Sequence, residues 1–116
     1  MNLTWITIYD KGRPEERLHF KAATAVDLSY YAVFDSSYVS ENGVSAYQRS
    51  CYWFGPKKIA AGDNVVLYTR AGASSTETRP DGSLFHFFFR GLGGPIYTEE
   101  QSAPILFELN TWSARK

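Results

Sequence analysis

The sequence has little of several things that particular functional classes require. It contains one cysteine and two histidines, and its twelve basic residues equal its twelve acidic ones. A single cysteine excludes an internal disulfide framework and favours a reducing compartment. The balanced charge argues against nucleic acid as a partner, because nucleic-acid binders usually carry a basic face.

Long apolar runs are also missing. No run approaches the ~20 apolar residues of a membrane-spanning helix, and residues 1–12 lack the basic and apolar segments of a signal peptide. We therefore expect a cytoplasmic protein that does not associate with membranes. With 116 residues, a single domain over 1–116 is expected, and 44% hydrophobic residues are enough for a folded core.

The residues that catalysis or metal binding would need are few and scattered. Cys51 is predicted to be buried in a strand, so we expect a slowly reacting, non-catalytic thiol. The two histidines and the lack of a cysteine pair do not match metal-ligand spacing, so no metal or cofactor is expected. One enzymatic alternative stays open, a small hydrolase that pairs His19 or His86 with Asp35 or Asp63.

Period-two alternation of apolar and polar residues runs through most of the chain and predicts strands. Turn-forming Gly, Pro, Asn and Asp residues separate about seven such segments, which is typical of a β-sandwich. The only predicted helix is one short turn within 97–103, which Pro104 ends. Residues 37–49 are predicted to be a long loop or a loose hairpin around Asn42-Gly43, and residues 71–83 a long loop. The predicted strands are 3–9, 16–22, 27–36, 50–54, 64–70, 84–90 and 103–110.

The segment 84–90, with the sequence LFHFFFR, raises a question of register. Phe85, Phe87 and Phe89 share one face of a strand, while His86 and Phe88 share the other. Because the first face carries three large apolar rings, we predict that it lines the core.

Two stretches resemble the lamin tail domain. ERLHFKAATAVDLSYYAVFDS (16–36) resembles its opening, and YWFGPKKIAAGDNVVLYT (52–69) resembles its next block, in which a turn at 61–63 passes the chain to the other sheet. The similarity covers roughly 16–110. It departs at Tyr30-Tyr31, where a Gly-Trp pair is usual, and in the last segment, LFELNTWSARK. The resemblance implies an immunoglobulin-like antiparallel β-sandwich with a non-catalytic interaction role, and it carries no shared set of functional residues.

Aromatic residues in loops and at strand ends suggest where such a domain would bind. If strands 50–54 and 64–70 form a hairpin, loops 37–49 and 71–83 lie at one end of the sandwich and present rings beside fixed charges. We expect a protein partner, or self-association through loops or a sheet edge; a carbohydrate-binding module that uses the loop rings is the alternative. The candidate binding residues are Tyr38, Tyr47, Arg79, Asp81, Tyr97 and Trp112.

Overall fold

The computed structural model describes residues 1–40, 43–44 and 50–116, except for the side chains of 38–40 and 43–44. Within these ranges the chain forms strands and one 3-10 turn, Leu28–Tyr30. The strands are β1 (Leu3–Tyr9), β2 (Arg17–Ala22), β3 (Val26–Asp27), β4 (Tyr31–Ser40), β5 (Gly43–Val44), β6 (Cys51–Trp53), β7 (Lys58–Ile59), β8 (Asn64–Arg70), β9 (Ser75–Thr78), β10 (Leu84–Leu92) and β11 (Ser102–Glu108).

The predicted all-β fold class is confirmed, with 52% of residues in strands. Each predicted strand corresponds to an observed one, and the additional strands are short. The helical turn predicted within 97–103 is wrong, because β11 begins at Ser102 and the 3-10 turn lies at Leu28–Tyr30 instead. In the described part of the chain, no helix is long and apolar enough to cross a membrane.

Two compact units, each built from two chain segments, account for the described structure. Unit 1 consists of residues 1–26 and 58–100, and unit 2 of residues 27–57 and 101–116. β3 and β7 form a short ladder of their own. The assignment of the whole chain to one domain stays a prediction.

Unit 1 contains a five-stranded sheet in the order β1-β2-β8-β10-β9. β8 and β10 run parallel, and the other neighbours are antiparallel, so this sheet is mixed where a purely antiparallel one was predicted. A parallel pair needs a long connection between its strands. Residues 71–83 provide it, and part of this predicted loop is β9, which forms a hairpin with β10.

The predicted register of β10 is wrong. His86 and Phe88 are buried, at 6% and 8% exposure, whereas Phe85, Phe87 and Phe89 are only half-buried. Partner strands decide this, because β10 pairs with β8, which pairs in turn with β2. The apolar residues of β2, and Val65 and Leu67 of β8, lie on the same face as His86 and Phe88. This buried face consists of Leu18, Phe20, Ala22, Val65, Leu67, His86 and Phe88.

Unit 2 contains an antiparallel sheet in the order β11-β4-β5, with β6 also paired to β4. Its 3-10 turn is capped by Asp27, whose carboxylate accepts a hydrogen bond from the backbone N–H of Ser29 at 2.9 Å. The Trp53 indole N–H donates to the Ser29 carbonyl at 2.7 Å. These bonds fix the orientation of Trp53, the last residue of β6.

The hairpin predicted between strands 50–54 and 64–70 does not form. β6 pairs with β4 in unit 2, whereas β8 pairs with β2 and β10 in unit 1. Residues 55–63 therefore connect two different sheets. Without that hairpin, the prediction that loops 37–49 and 71–83 lie at the same end of the sandwich loses its basis.

Candidate functional site

The β4–β6–β11 region of unit 2 carries a cluster of exposed aromatic rings on one face. Trp53, Phe107 and Trp112 are 48%, 44% and 47% exposed. Trp53 and Phe107 both lie directly opposite Ala32 of β4, so they share a face. Trp112 joins them from the C-terminal segment, with its ring edge-on to that of Trp53 at a centroid distance of 4.9 Å.

The same face is apolar beyond these three rings. Phe34 lies two residues from Ala32 and packs edge-on against Phe107 at 4.7 Å, and its register partners are Ile105 and the exposed Cys51. We call this set the unit 2 face; it consists of Ala32, Phe34, Cys51, Trp53, Ile105, Phe107 and Trp112. None of these side chains is charged. The predicted burial of Cys51 is wrong, and its thiol is accessible.

The half-buried rings of β10 form a second aromatic surface, on unit 1. Tyr68 stacks on Phe89 at 4.9 Å with an interplanar angle of 9°, and Phe85 stacks on Phe87 at 6.2 Å and 21°. Arg70 lies over Tyr68 at 4.7 Å from the ring centroid. These contacts hold the rings in place by cation–π and stacking interactions.

Each arginine of this surface also has a carboxylate partner. Arg17 pairs with Asp10 at 2.9 Å, Arg70 with Glu15 at 2.9 Å, and Arg79 with Glu77 at 3.5 Å. Because the positive charges are matched locally, this surface creates no strong field for a polyanion.

The turn 79–83 forms a wall beside Phe85. Its backbone is closed by bonds from the Arg79 N–H to the Ser83 carbonyl at 2.8 Å and from the Gly82 N–H to the Arg79 carbonyl at 2.9 Å. Asp81 accepts from the Ser83 N–H and hydroxyl at 3.0 and 2.6 Å, and these bonds lower the pKa of its carboxyl below the ordinary value of 3.8. A shallow cleft of about 490 Å³ lies between this turn, Phe85, Asn64 and Lys21.

One of the predicted His–Asp pairs exists. His86 Nε2 lies 2.8 Å from Asp63 Oδ2, and the other ring nitrogen lies 3.3 Å from the Thr76 hydroxyl. The His86 and Asp63 side chains are 7% and 11% exposed, and Asp63 also accepts from the Ala60 N–H. The pair therefore links β9, β10 and the turn before β8. A substrate would have to reach a buried imidazole.

The other candidate acid–base residues have different partners. His19 Nε2 lies 2.9 Å from the Asn64 side-chain oxygen, and Asp35 accepts from the Ser50 hydroxyl. Among the described residues, no group of three or more His, Cys, Asp or Glu side chains could hold a metal ion.

Sequence reasoning missed a fully buried carboxylate, Glu16. Its side chain is 0% exposed and accepts four hydrogen bonds. The donors are the Thr69 hydroxyl at 2.8 Å and the backbone N–H groups of Gly12, Ile96 and Tyr97 at 2.7, 3.0 and 3.2 Å. Glu16 thus joins three separate segments of unit 1. The one local sign of burial is the position of Glu16 at the start of the predicted strand 16–22, where the period of two places it on the same face as Leu18 and Phe20.

The predicted binding residues that the structure describes are divided between the two units. Arg79 and Asp81 belong to the 79–83 turn of unit 1, and Trp112 belongs to the unit 2 face. Tyr97 is 2% exposed, so its ring cannot contribute to a contact surface as predicted. The side chains of Tyr38 and Tyr47 lie outside the described residues.

No family model, no curated protein and no solved structure matches this chain. The resemblance to the lamin tail domain accordingly stays a prediction.

Proposed function

We propose that this protein is a non-enzymatic assembly module that associates with a second copy of itself through the unit 2 face. The observation that carries the proposal is the grouping of Trp53, Phe107 and Trp112 on one uncharged surface, each nearly half exposed. Tryptophan and other aromatic residues are the side chains that most often anchor protein interfaces.

The absence of charge on this face favours a second copy as the occupant. A two-fold interface brings the same patch of both molecules together, so a charged patch would meet its own charge. The described side chains of the unit 2 face are apolar and create no such repulsion. Phe107 belongs to β11 and Trp53 to β6, and both strands are hydrogen-bonded to β4, so the sheet holds these two rings in place.

The exposed area of the three rings sets the expected strength of dimerisation. Three rings that are nearly half exposed present roughly 300 Å² per copy, so pairing two copies removes about 600 Å² from water, worth about 15 kcal/mol before costs. Association itself costs about 4–15 kcal/mol. The difference is about 0–11 kcal/mol with a midpoint of about 5–6 kcal/mol, so we expect a weak dimer with a dissociation constant of roughly 0.1 mM.

The assignment to a lamin-tail-like, immunoglobulin-like fold is part of this proposal. It is supported by the chain path, since β6 and β8 lie in different sheets and the turn between them includes Gly62. Gly62 has a φ of 87°, a conformation that favours glycine. The burial of the His86–Asp63 pair supports the non-enzymatic part.

Sedimentation equilibrium over a wide range of protein concentrations tests the proposal. The wild-type chain should dimerise, and Phe107→Ser with Trp112→Ser should raise the dissociation constant by roughly a hundredfold, because both rings leave the interface. Ile6→Ser is the matched control: Ile6 is 47% exposed but lies on β1 of unit 1, so the dimer should be unaffected.

The Cys51 thiol provides an independent readout from within the same face. It is exposed in the single chain and would be covered in the dimer, so its reaction with a disulfide probe should slow as protein concentration rises. A chain that stays monomeric throughout, or a dimer that survives the double substitution, would refute the proposal. Capture of another protein by the unit 2 face of a monomeric chain would also refute self-association.

A further inference from the structure

A threonine hydroxyl of unit 1 lies at the end of a chain of hydrogen bonds that the self-association face does not explain. The Thr76 hydroxyl lies 3.3 Å from His86 Nδ1, and His86 Nε2 lies 2.8 Å from Asp63 Oδ2. Hydroxyl, imidazole and carboxylate follow one another in this order. In enzymes that use a hydroxyl as a nucleophile, the carboxylate orients the ring and the ring accepts the hydroxyl proton.

Asp63 determines which ring nitrogen can act as the base. Its Oδ2 atom also accepts a hydrogen bond from the Ala60 N–H at 3.1 Å. Because a carboxylate oxygen accepts, we assign the proton between Asp63 and His86 to Nε2. In the neutral ring Nδ1 then carries the lone pair, and the Thr76 hydroxyl donates to it.

Thr76 differs from these two partners because it is accessible. It belongs to β9, the last strand of the five-stranded sheet, and all four residues of that strand are exposed. A reagent in solution has to reach only the hydroxyl, while the base behind it stays buried. The burial of the imidazole therefore does not shield the hydroxyl.

Thr78 provides a comparison within the same strand. It is exposed like Thr76 and lies on the same face of β9, two residues further along. In the ladder between β9 and β10, Thr76 lies opposite His86, whereas Thr78 lies opposite Leu84, whose side chain cannot accept a proton. The two threonines thus differ in their cross-strand neighbour.

The carboxylate behind the ring decides which class of reagent suits the hydroxyl. A phosphoryl donor carries negative charge, which Lys, Arg or a metal ion normally stabilises, and Asp63 would add to that charge. The carbonyl group of a carboxylic ester is neutral, and its carbon reacts with an alcohol oxygen. An activated ester is therefore the better match.

We propose that Thr76 is a site of covalent acylation, at which its Oγ1 attacks the carbonyl carbon of an activated ester. As the Oγ1–C bond forms, the hydroxyl proton passes to His86 Nδ1. The bond from the carbonyl carbon to the leaving oxygen breaks with its electron pair, and His86 then returns the proton to that oxygen. The products are acylated Thr76 and an alcohol.

A single transfer to the chain itself is a modification and involves no turnover. The non-enzymatic function proposed above is therefore unaffected, and the site does not depend on the unit 2 face.

Acetylation by p-nitrophenyl acetate tests the proposal, with the acetylated residues located and counted by peptide mass spectrometry. The Cys51→Ala chain is used, because it lacks the exposed thiol. In the folded chain Thr76 should be acetylated at least roughly a hundred times faster than Thr78, which is the contribution expected of a general base. In urea the difference should disappear, because unfolding separates His86 from Thr76.

Variants separate the nucleophile from the base. Thr76→Ser should keep the reaction, whereas Thr76→Val should remove one acetyl group per chain. His86→Gln should reduce acetylation of Thr76 to the rate of Thr78, and thermal unfolding checks that this variant is folded. If it is not folded, the comparison between the folded and the urea-unfolded chain decides.

Three results would overturn the proposal. The first is equal acetylation of Thr76 and Thr78 in the folded chain, and the second is an unchanged rate at Thr76 in folded His86→Gln. The third is continuous release of nitrophenol that Thr76→Val abolishes, because this would show turnover instead of a single modification.

Discussion

Replacing the buried carboxylate of Glu16 is the most demanding test of how unit 1 is held together. Glu16→Gln preserves the size and shape of the side chain but exchanges one acceptor oxygen for an NH₂ group, which can only donate. In the wild-type chain each carboxylate oxygen accepts two hydrogen bonds, Oε1 from Thr69 and Ile96 and Oε2 from Gly12 and Tyr97. If the NH₂ group replaces Oε2, the Gly12 and Tyr97 N–H groups lose their acceptor; if it replaces Oε1, the Ile96 N–H group does, while the Thr69 hydroxyl can turn to accept from the amide.

The expected magnitude follows from these contacts. A buried donor left without a partner costs about 1–3 kcal/mol, and the remaining bonds lose the charge assistance that makes a bond to a carboxylate roughly twice as strong as one to a neutral acceptor. Removing the charge also removes part of the cost of burying it, which offsets some of this loss. We expect Glu16→Gln to lower the free energy of unfolding by about 2–4 kcal/mol.

Urea denaturation measures this difference, and Glu15→Gln is the matched control. Glu15 is the neighbouring residue with the same side chain, but it is exposed and pairs only at the surface with Arg70. Its substitution should cost no more than about 1 kcal/mol. Hydrogen exchange adds a local readout, since the amides of Gly12, Ile96 and Tyr97 should lose protection only in the Glu16 variant.

One result would refute the reasoning. If Glu16→Gln and Glu15→Gln differ by less than about 1 kcal/mol, the four-bond carboxylate does not anchor the segments around it. Unchanged exchange of the three amides would lead to the same conclusion.

Two further predictions concern the β10 register and the 79–83 turn. Phe88→Ala should lower the free energy of unfolding, measured by urea denaturation, by about 3–5 kcal/mol because it opens a cavity. Phe87→Ala, on the half-buried face, should lower it clearly less. Equal losses, or the reverse order, would contradict the observed register. The Ser83 bonds lower the folded-state pKa of Asp81, so their stabilisation is present above the ordinary value of 3.8 and is lost as pH falls through the lowered value. Asp81→Asn should therefore lose less stability than the wild type between neutral pH and about pH 3, and identical pH dependence of the two chains would show that the turn makes no such contribution.

The sequence by itself determined where the main strands lie. Alternation and turn residues placed all of the longer strands except β9, because both signals act over a few residues and need no knowledge of the rest of the chain. The period of two also places the adjacent residues Trp53 and Phe54 on opposite faces of their strand, and Phe54 is 1% exposed while Trp53 is 48% exposed. Of the three exposed rings of the unit 2 face, Trp112 was among the predicted binding residues, whereas Trp53 and Phe107 were not.

The tertiary structure alone decided which face of β10 is buried. The three rings at Phe85, Phe87 and Phe89 made that face appear the more apolar one. The observed burial is the opposite, because β10 pairs with β8 and β8 with β2, and the buried residues of those strands lie on the face of His86 and Phe88. Asp63 provides the hydrogen-bond partner that allows His86 to be buried. The apolar pattern of a single strand does not show which of its faces the neighbouring strands will bury.

The candidate sites depended on the same kind of information. Phe107 and Trp112 reach Trp53 only because β4 pairs with both β6 and β11, strands that are distant in sequence. Tyr97 is buried because its N–H binds Glu16, eighty-one positions earlier in the chain. Local sequence determines strands and turns because short-range sterics and solvation set them, whereas contacts between distant segments are fixed only when the sheets assemble.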